Sequence, residues 1–172
     1  MSPSIDTVTL AYFIGSVGIL AEWHAYSLKC GHGFRRWSAI GAVLWAFQYC
    51  LLNAWTAGLT MGTTALRTLS SSQIKKRSGK DRAALGFILF FLTLTVFSWQ
   101  GWISLLPAFA VINTTLALYF FENRNMRIVL LFSSLAWIAN DCYWHAWPAL
   151  LAESIAMLIN LRTIRILNNL NH

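Results

Sequence analysis

Trp137–Arg165, WIANDCYWHAWPALLAESIAMLINLRTIR, is the stretch whose reading decides the fold. It is apolar enough to lie in hydrocarbon, yet it carries Asn140, Asp141, His145, Glu153 and Asn160. It also echoes an earlier part of the chain. Moved back by 92 positions, Trp137 falls on Trp45, Cys142 on Cys50, Ala146 on Ala54 and Trp147 on Trp55. Moved back by 95, Leu161-Arg162-Thr163 falls on Leu66-Arg67-Thr68. A helix pair therefore occurs twice, and the second copy holds most of the polar groups.

The composition agrees with a lipid environment. Of 172 residues, 57% are hydrophobic and only 11% are charged, against about 25% charged in a soluble domain. Long apolar runs separated by short basic ones are the pattern of a polytopic helical membrane protein. Backbone groups in hydrocarbon must be satisfied internally, and the runs are too continuous for the alternating strands of a barrel. Residues 1–9 hold Asp6 and no Lys or Arg, so no cleaved signal peptide is expected. Cys30, Cys50 and Cys142 lack CxxC spacing, which argues against a disulfide framework or a zinc site. No metal or cofactor is expected. The net charge of +7 reads as an orientation signal rather than a nucleic-acid footprint.

Read outward from the opening stretch, the chain divides into seven spans of about 16–22 residues. They cover 7–28, 37–53, 55–72, 83–99, 102–121, 128–144 and 147–167. Short corners, Asn53-Ala54 and His145-Ala146, join spans 2 to 3 and 6 to 7. Pro148 stands at the first turn of span 7, where a proline is tolerated. Gly58 and Gly62 form a GxxxG, which favours close helix contact. The loop 73–82, QIKKRSGKDR, is the most polar part of the chain. With alternating sides, all 13 Lys and Arg fall on one side. Positive charge marks the cytoplasm, so the N-terminus is outside and the C-terminus inside. Trp55, Trp99, Trp102, Trp144 and Trp147 fall at the outer corners, where interfacial aromatics belong.

Two triple-helix units, 7–72 and 102–167, then share one orientation, and the linker span 83–99 makes that possible: a 3+1+3 plan in a single membrane domain of residues 1–172. Parallel repeats of this kind are used by carriers of the SWEET type, with a site near the midplane at the repeat interface. The segments LNAWTAGLTMGTTALRTL, LPAFAVINTTLALYFF and WPALLAESIAMLINLRTIR resemble the YgjV family of bacterial inner-membrane proteins, over nearly the whole chain and most clearly from Leu106 to Arg165. That family is similar in turn to the SWEET/PQ-loop (MtN3-like) group, which includes vitamin carriers and the mitochondrial pyruvate carrier. The resemblance implies a multi-pass inner-membrane fold and small-solute movement. It supplies no substrate. The chain departs from the wider group in having no Pro-Gln dipeptide, and Pro107 alone remains where carrier helices bend at prolines. Gly15, Gly18, Gly58 and Gly62 would have to supply the flexibility, or the hinge differs.

Ionisable groups inside a span cost about 2.5–3.5 kcal/mol each on insertion scales and warrant a functional hypothesis. Glu22, Asp141 and Glu153 qualify. Helical spacing puts Trp137, Asp141 and Trp144 on one face, and Glu153, Met157 and Asn160 on another. Facing inward, these would wall a solute site, with Glu22 and Glu153 as gating or proton-coupling groups. The competing reading leaves Asp141 at a wet rim beside His145 and pairs Glu22 with His24 or an inner basic group. Asn113, in mid-span, lines a cavity or bonds another helix; Asn160 and Gln48 pose the same choice. Trp45 and Trp137 stack on a solute or simply pack. Arg67 and Arg162 lie about 18 and 23 Å from Trp55 and Trp147. They snorkel to the cytoplasmic face or guard an anion vestibule.

No HExxH, GxGxxG or Ser-His-Asp constellation is present, so no catalytic residue and no enzyme is expected. The sequence thus leads to a small-solute transporter with a central site between the repeats. The alternative is a non-transporting sensor or assembly partner working through the basic loop 73–82. Expected partners are the bilayer and an unknown small solute, and the sequence admits a homo-oligomer.

Overall fold

The computed structural model describes residues 4–27, 31–71, 74, 76–121 and 123–169. Every regular element among them is helical. The helices are α1 (Ile5–Ser27), α2 (Gly31–Leu51), α3 (Trp55–Ser71), α4 (Arg77–Phe97), α5 (Leu105–Phe120, entered through a 3-10 turn at Trp102–Ser104), α6 (Asn123–Tyr143) and α7 (Trp147–Asn169). Three helices start earlier than the apolar pattern predicts. Residues 31–36, 77–82 and 123–127 were expected as loop but continue α2, α4 and α6. Lys and Arg are good helix formers, so a helix need not stop where its apolar run does. The side chains of Lys29, His32, Arg35, Lys75, Glu122 and Arg124 lie outside the described residues.

Each helix packs chiefly on its chain neighbours, so that α2 lies between α1 and α3, and α6 between α5 and α7. Two further contacts join the ends of the chain to its middle: α1 meets α7, and α3 meets α5. Helix α4 rests on α5 and, more lightly, on α3. Small residues permit the close approaches. A Cβ on Gly58 would stand 2.6 Å from the Cys50 sulfur, and one on Gly18 would stand 3.3 Å from the Trp45 ring. In this structure these glycines serve packing.

The two corners are copies of one another. Asn53 and His145 both adopt positive φ, 62° and 53°. The Ala54 N–H donates to Tyr49 O at 2.9 Å, and the Ala146 N–H donates to Asp141 O at 2.9 Å. The Asn53 and His145 N–H groups donate to Cys50 O and Cys142 O. This is the double-bonded helix stop with a left-handed residue, built twice at the same offset. Each corner carbonyl is also capped from elsewhere. Tyr12 Oη donates to His145 O at 2.9 Å, and Gln100 Nε2 donates to Asn53 O at 2.6 Å. Thr56, Ser98 and Ser104 complete a hydroxyl cluster beside Gln100. The expected turn at 99–102 is present, with Gly101 at φ 94°.

The distribution of side chains is inverted relative to a soluble bundle. Leu10, Phe13, Leu20, Leu85, Phe90, Val96 and Leu158 face outward, while Gln48, Thr60, Arg67, Thr115, Asn140 and Asp141 are buried. That pattern fits a lipid-facing exterior. Among the described residues two segments, Ile5–Ala25 and Trp102–Phe120, are long and apolar enough to cross a membrane by length and composition alone.

The left-handed corner gives a direct test. Asn tolerates positive φ and Ala does not, at a cost of about 1–2 kcal/mol. Asn53→Ala should therefore lower the thermal unfolding midpoint in detergent by more than Asn53→Gly does.

Candidate functional site

Asp141 occupies the last turns of α6 and is only 1% exposed, so the wet-rim reading does not hold. Its Oδ1 accepts a 2.6 Å hydrogen bond from Tyr49 Oη and a 3.3 Å bond from Asn140 Nδ2. Its Oδ2 is buried with no partner. One turn back on α6, Trp137 stacks on the Tyr49 ring at 5.8 Å with an interplanar angle of 20°. Trp45, one turn before Tyr49 on α2, is buried against Gly18. Tyr49 and Asp141 are 92 positions apart, as are Trp45 and Trp137.

These groups border a cavity of about 120 Å³ whose wall includes Glu22, Trp45, Tyr49, Trp137, Asp141 and Glu153. A larger one of about 460 Å³ continues towards Arg67, Thr114, Arg127, Ser133, Ser134 and Asn160. Glu22, Met61, Thr64, Trp137 and Glu153 line both, so the two share a wall. Four helices contribute: α1 supplies Glu22, α3 supplies Thr64, α6 supplies Trp137 and α7 supplies Glu153. The Ser134 hydroxyl lies against the Glu153 carboxylate, and Trp45 lies beside Glu22. Glu153 is near enough to both Glu22 and Asp141 for their charges to repel.

At the other end Arg67 is 3% exposed. It does not snorkel. One guanidinium nitrogen donates to Thr115 Oγ1 at 2.8 Å and to Val111 O at 3.3 Å. The Phe91 ring lies 5.9 Å from the guanidinium carbon. Its Nε has no partner. Arg127 donates to Asn160 Oδ1 at 3.2 Å, and Asn160 Nδ2 donates back to Arg127 O at 3.0 Å.

Seven of the expected site residues therefore meet around these cavities: Glu22, Trp45, Arg67, Trp137, Asp141, Glu153 and Asn160. Three do not. Asn113 bonds Phe109 O on its own helix and lines neither cavity, where its neighbour Thr114 does. Gln48 is fully buried against Gly15, with its carboxamide outside both cavities and unpartnered. Arg162 is exposed on α7, so the second cation of the cavity is Arg127 rather than the repeat mate of Arg67. Asn160 is spent on holding Arg127. Tyr49 was the residue missed. The offset of 92 already pairs it with Asp141, and equivalent residues of two related helices meet where those helices face each other.

An apolar exterior around a cavity lined by acids and arginines defines the class: a helical membrane protein. The chain belongs to the Imp-YgjV family, described as a bacterial inner membrane protein, whose family model matches residues 9–170. No curated protein and no solved structure matches it.

The contact between Tyr49 and Asp141 is separable by a double-mutant cycle. Losing one partner of a buried hydrogen bond costs about 1–3 kcal/mol, whereas removing both is close to neutral. Tyr49→Phe should lower the unfolding midpoint in the parent protein and leave it nearly unchanged in an Asp141→Leu background. Equal losses in both backgrounds would mean that the bond does not couple the two helices.

Proposed function

We propose that this chain moves a small solute across the bacterial inner membrane, through a central site between two parallel triple-helix units. The reading takes all seven α-helices as spans, with the N-terminus outside, the C-terminus inside, and α4 as the linker of a 3+1+3 plan. The single observation that carries it is an internal cavity lined by three acids in a chain whose exterior is apolar. Glu22, Asp141 and Glu153 are costly in hydrocarbon, and they converge there from α1, α6 and α7.

Several further observations support the reading. The contacts of α1 with α7 and of α3 with α5 are those expected of a two-fold relation that exchanges the units. So are the duplicated corners and the meeting of equivalent positions Tyr49 and Asp141. The resemblance to SWEET/PQ-loop carriers points the same way, since parallel repeats place solute sites at their interface. A sensor or assembly partner acting through residues 73–82 needs no internal cavity, which favours the transporter. No enzymatic step is part of the proposal.

Flux provides the test. Proteoliposomes loaded with a pool of isotope-labelled small metabolites should release at least one solute faster than protein-free vesicles. Glu153→Gln should slow that release by about tenfold or more, a barrier change of about 1.4 kcal/mol. Arg162→Gln, on the exterior, should not. Retention of every solute by vesicles holding folded protein would contradict the proposal.

A further inference from the structure

We infer that the solute is amphoteric: a small molecule with an anionic group received by Arg67 and a protonated amine received by the carboxylates around Glu153. The inference rests on the transport reading above and specifies its substrate class. Its ground is the separation of unlike charges in the lining of one cavity. Arg67 and Glu153 line the same 460 Å³ cavity, a size suited to a small organic molecule. Among the described residues, no carboxylate reaches the Arg67 guanidinium; its partners are a hydroxyl and a backbone carbonyl. Buried charges without an ion-pair partner are strongly disfavoured, and among the described residues Arg67 and Glu153 meet hydroxyls rather than opposite charges.

The groups at the two ends differ in sign. Arg67 Nε and Asp141 Oδ2 are both buried without a partner. Arg67 borders the larger cavity and Asp141 the smaller, and Glu22 and Glu153 stand in the wall between. Asn160, which fixes Arg127 near the cationic end, is seven residues beyond Glu153 on α7, about 10 Å along the helix. Trp45 and Trp137 also line the acidic end, where aromatic rings add to the attraction of carboxylates for a cationic amine. A monovalent anion would leave the acids unpaired, and a simple amine would leave Arg67 unpaired. A molecule bearing both charges satisfies both ends.

The test uses the ω-amino acids from glycine to 6-aminohexanoate, each beside its carboxylate-only and amine-only relative. Binding to the full-length protein in detergent is read by tryptophan fluorescence and thermal shift. At least one amino acid should bind about tenfold or more tighter than either single-charge relative. Arg67→Gln should abolish that preference over the simple amine, and Arg67→Lys should restore part of it. Glu153→Gln, with Arg67 intact, should abolish the preference over the carboxylate, and it serves if Arg67→Gln fails to fold. A single-charge relative binding as tightly as its amino acid overturns the inference, as does failure of the whole series to bind. In either case, persistent vesicle release of some other solute leaves the transport reading standing. Loss of that release as well removes both.

Discussion

The structure turns on the cost of burying the Asp141 carboxylate in an apolar chain. An isolated carboxylate there would be strongly disfavoured, and the fold answers with the Tyr49 hydroxyl at 2.6 Å and the Asn140 carboxamide at 3.3 Å. The Tyr49 contact joins α2 to α6, and the stacked Tyr49 and Trp137 rings extend the junction by one turn. It therefore ties α2 to α6 across the fold. The corners just beyond it, each with its left-handed residue and doubled hydrogen bonds, follow from the same placement, because Tyr49 O and Asp141 O are the acceptors that close them.

From that junction the polar groups lead inward in order. Glu22 and Glu153 come next, in the wall shared by both cavities, and then Arg67 and the Arg127–Asn160 pair. Only Oδ1 of Asp141 is satisfied by the protein, and Arg67 is only partly satisfied. A stable core would close such gaps, since unsatisfied polar atoms are rare in native interiors. Three of these atoms, on Arg67, Ser133 and Asp141, belong to residues that line the two cavities, whereas those on Gln48, Tyr119 and Asn140 do not. The glycines at positions 18 and 58 allow α1 against α2 and α2 against α3 to close tightly.

Much of this was legible in the residues. The apolar runs gave the seven helices, and the self-match at offset 92 gave the paired corners before their geometry was known. Glu22, Asp141 and Glu153 announced themselves because acids in apolar helices are rare. Rotation was harder to read. Asn113 bonds its own helix while Thr114 faces the cavity, a difference of one residue, or about 100° around the axis. Arg162 and Arg67 match in sequence but differ in burial, because α3 packs on α5 at Arg67 whereas α7 at Arg162 is exposed. Arg127 read as an orientation charge at a helix end, and only its two bonds to Asn160 bring it into the cavity wall. Periodicity assigns a face to each residue; which face turns inward depends on partners distant in sequence.

The central claim is that the space between the two halves is wet and reachable from outside the membrane core. The direct measurement is thiol labelling in native membranes, starting from a variant with Cys30, Cys50 and Cys142 replaced. Single cysteines at Thr64 and Ala156, which line the cavity, are compared with one at Leu89, which faces outward. A water-soluble maleimide should modify the first two, and the Leu89 position should stay unmodified until the membrane is dissolved. If Thr64 and Ala156 are as inert as Leu89, the interior is dry and the account is wrong.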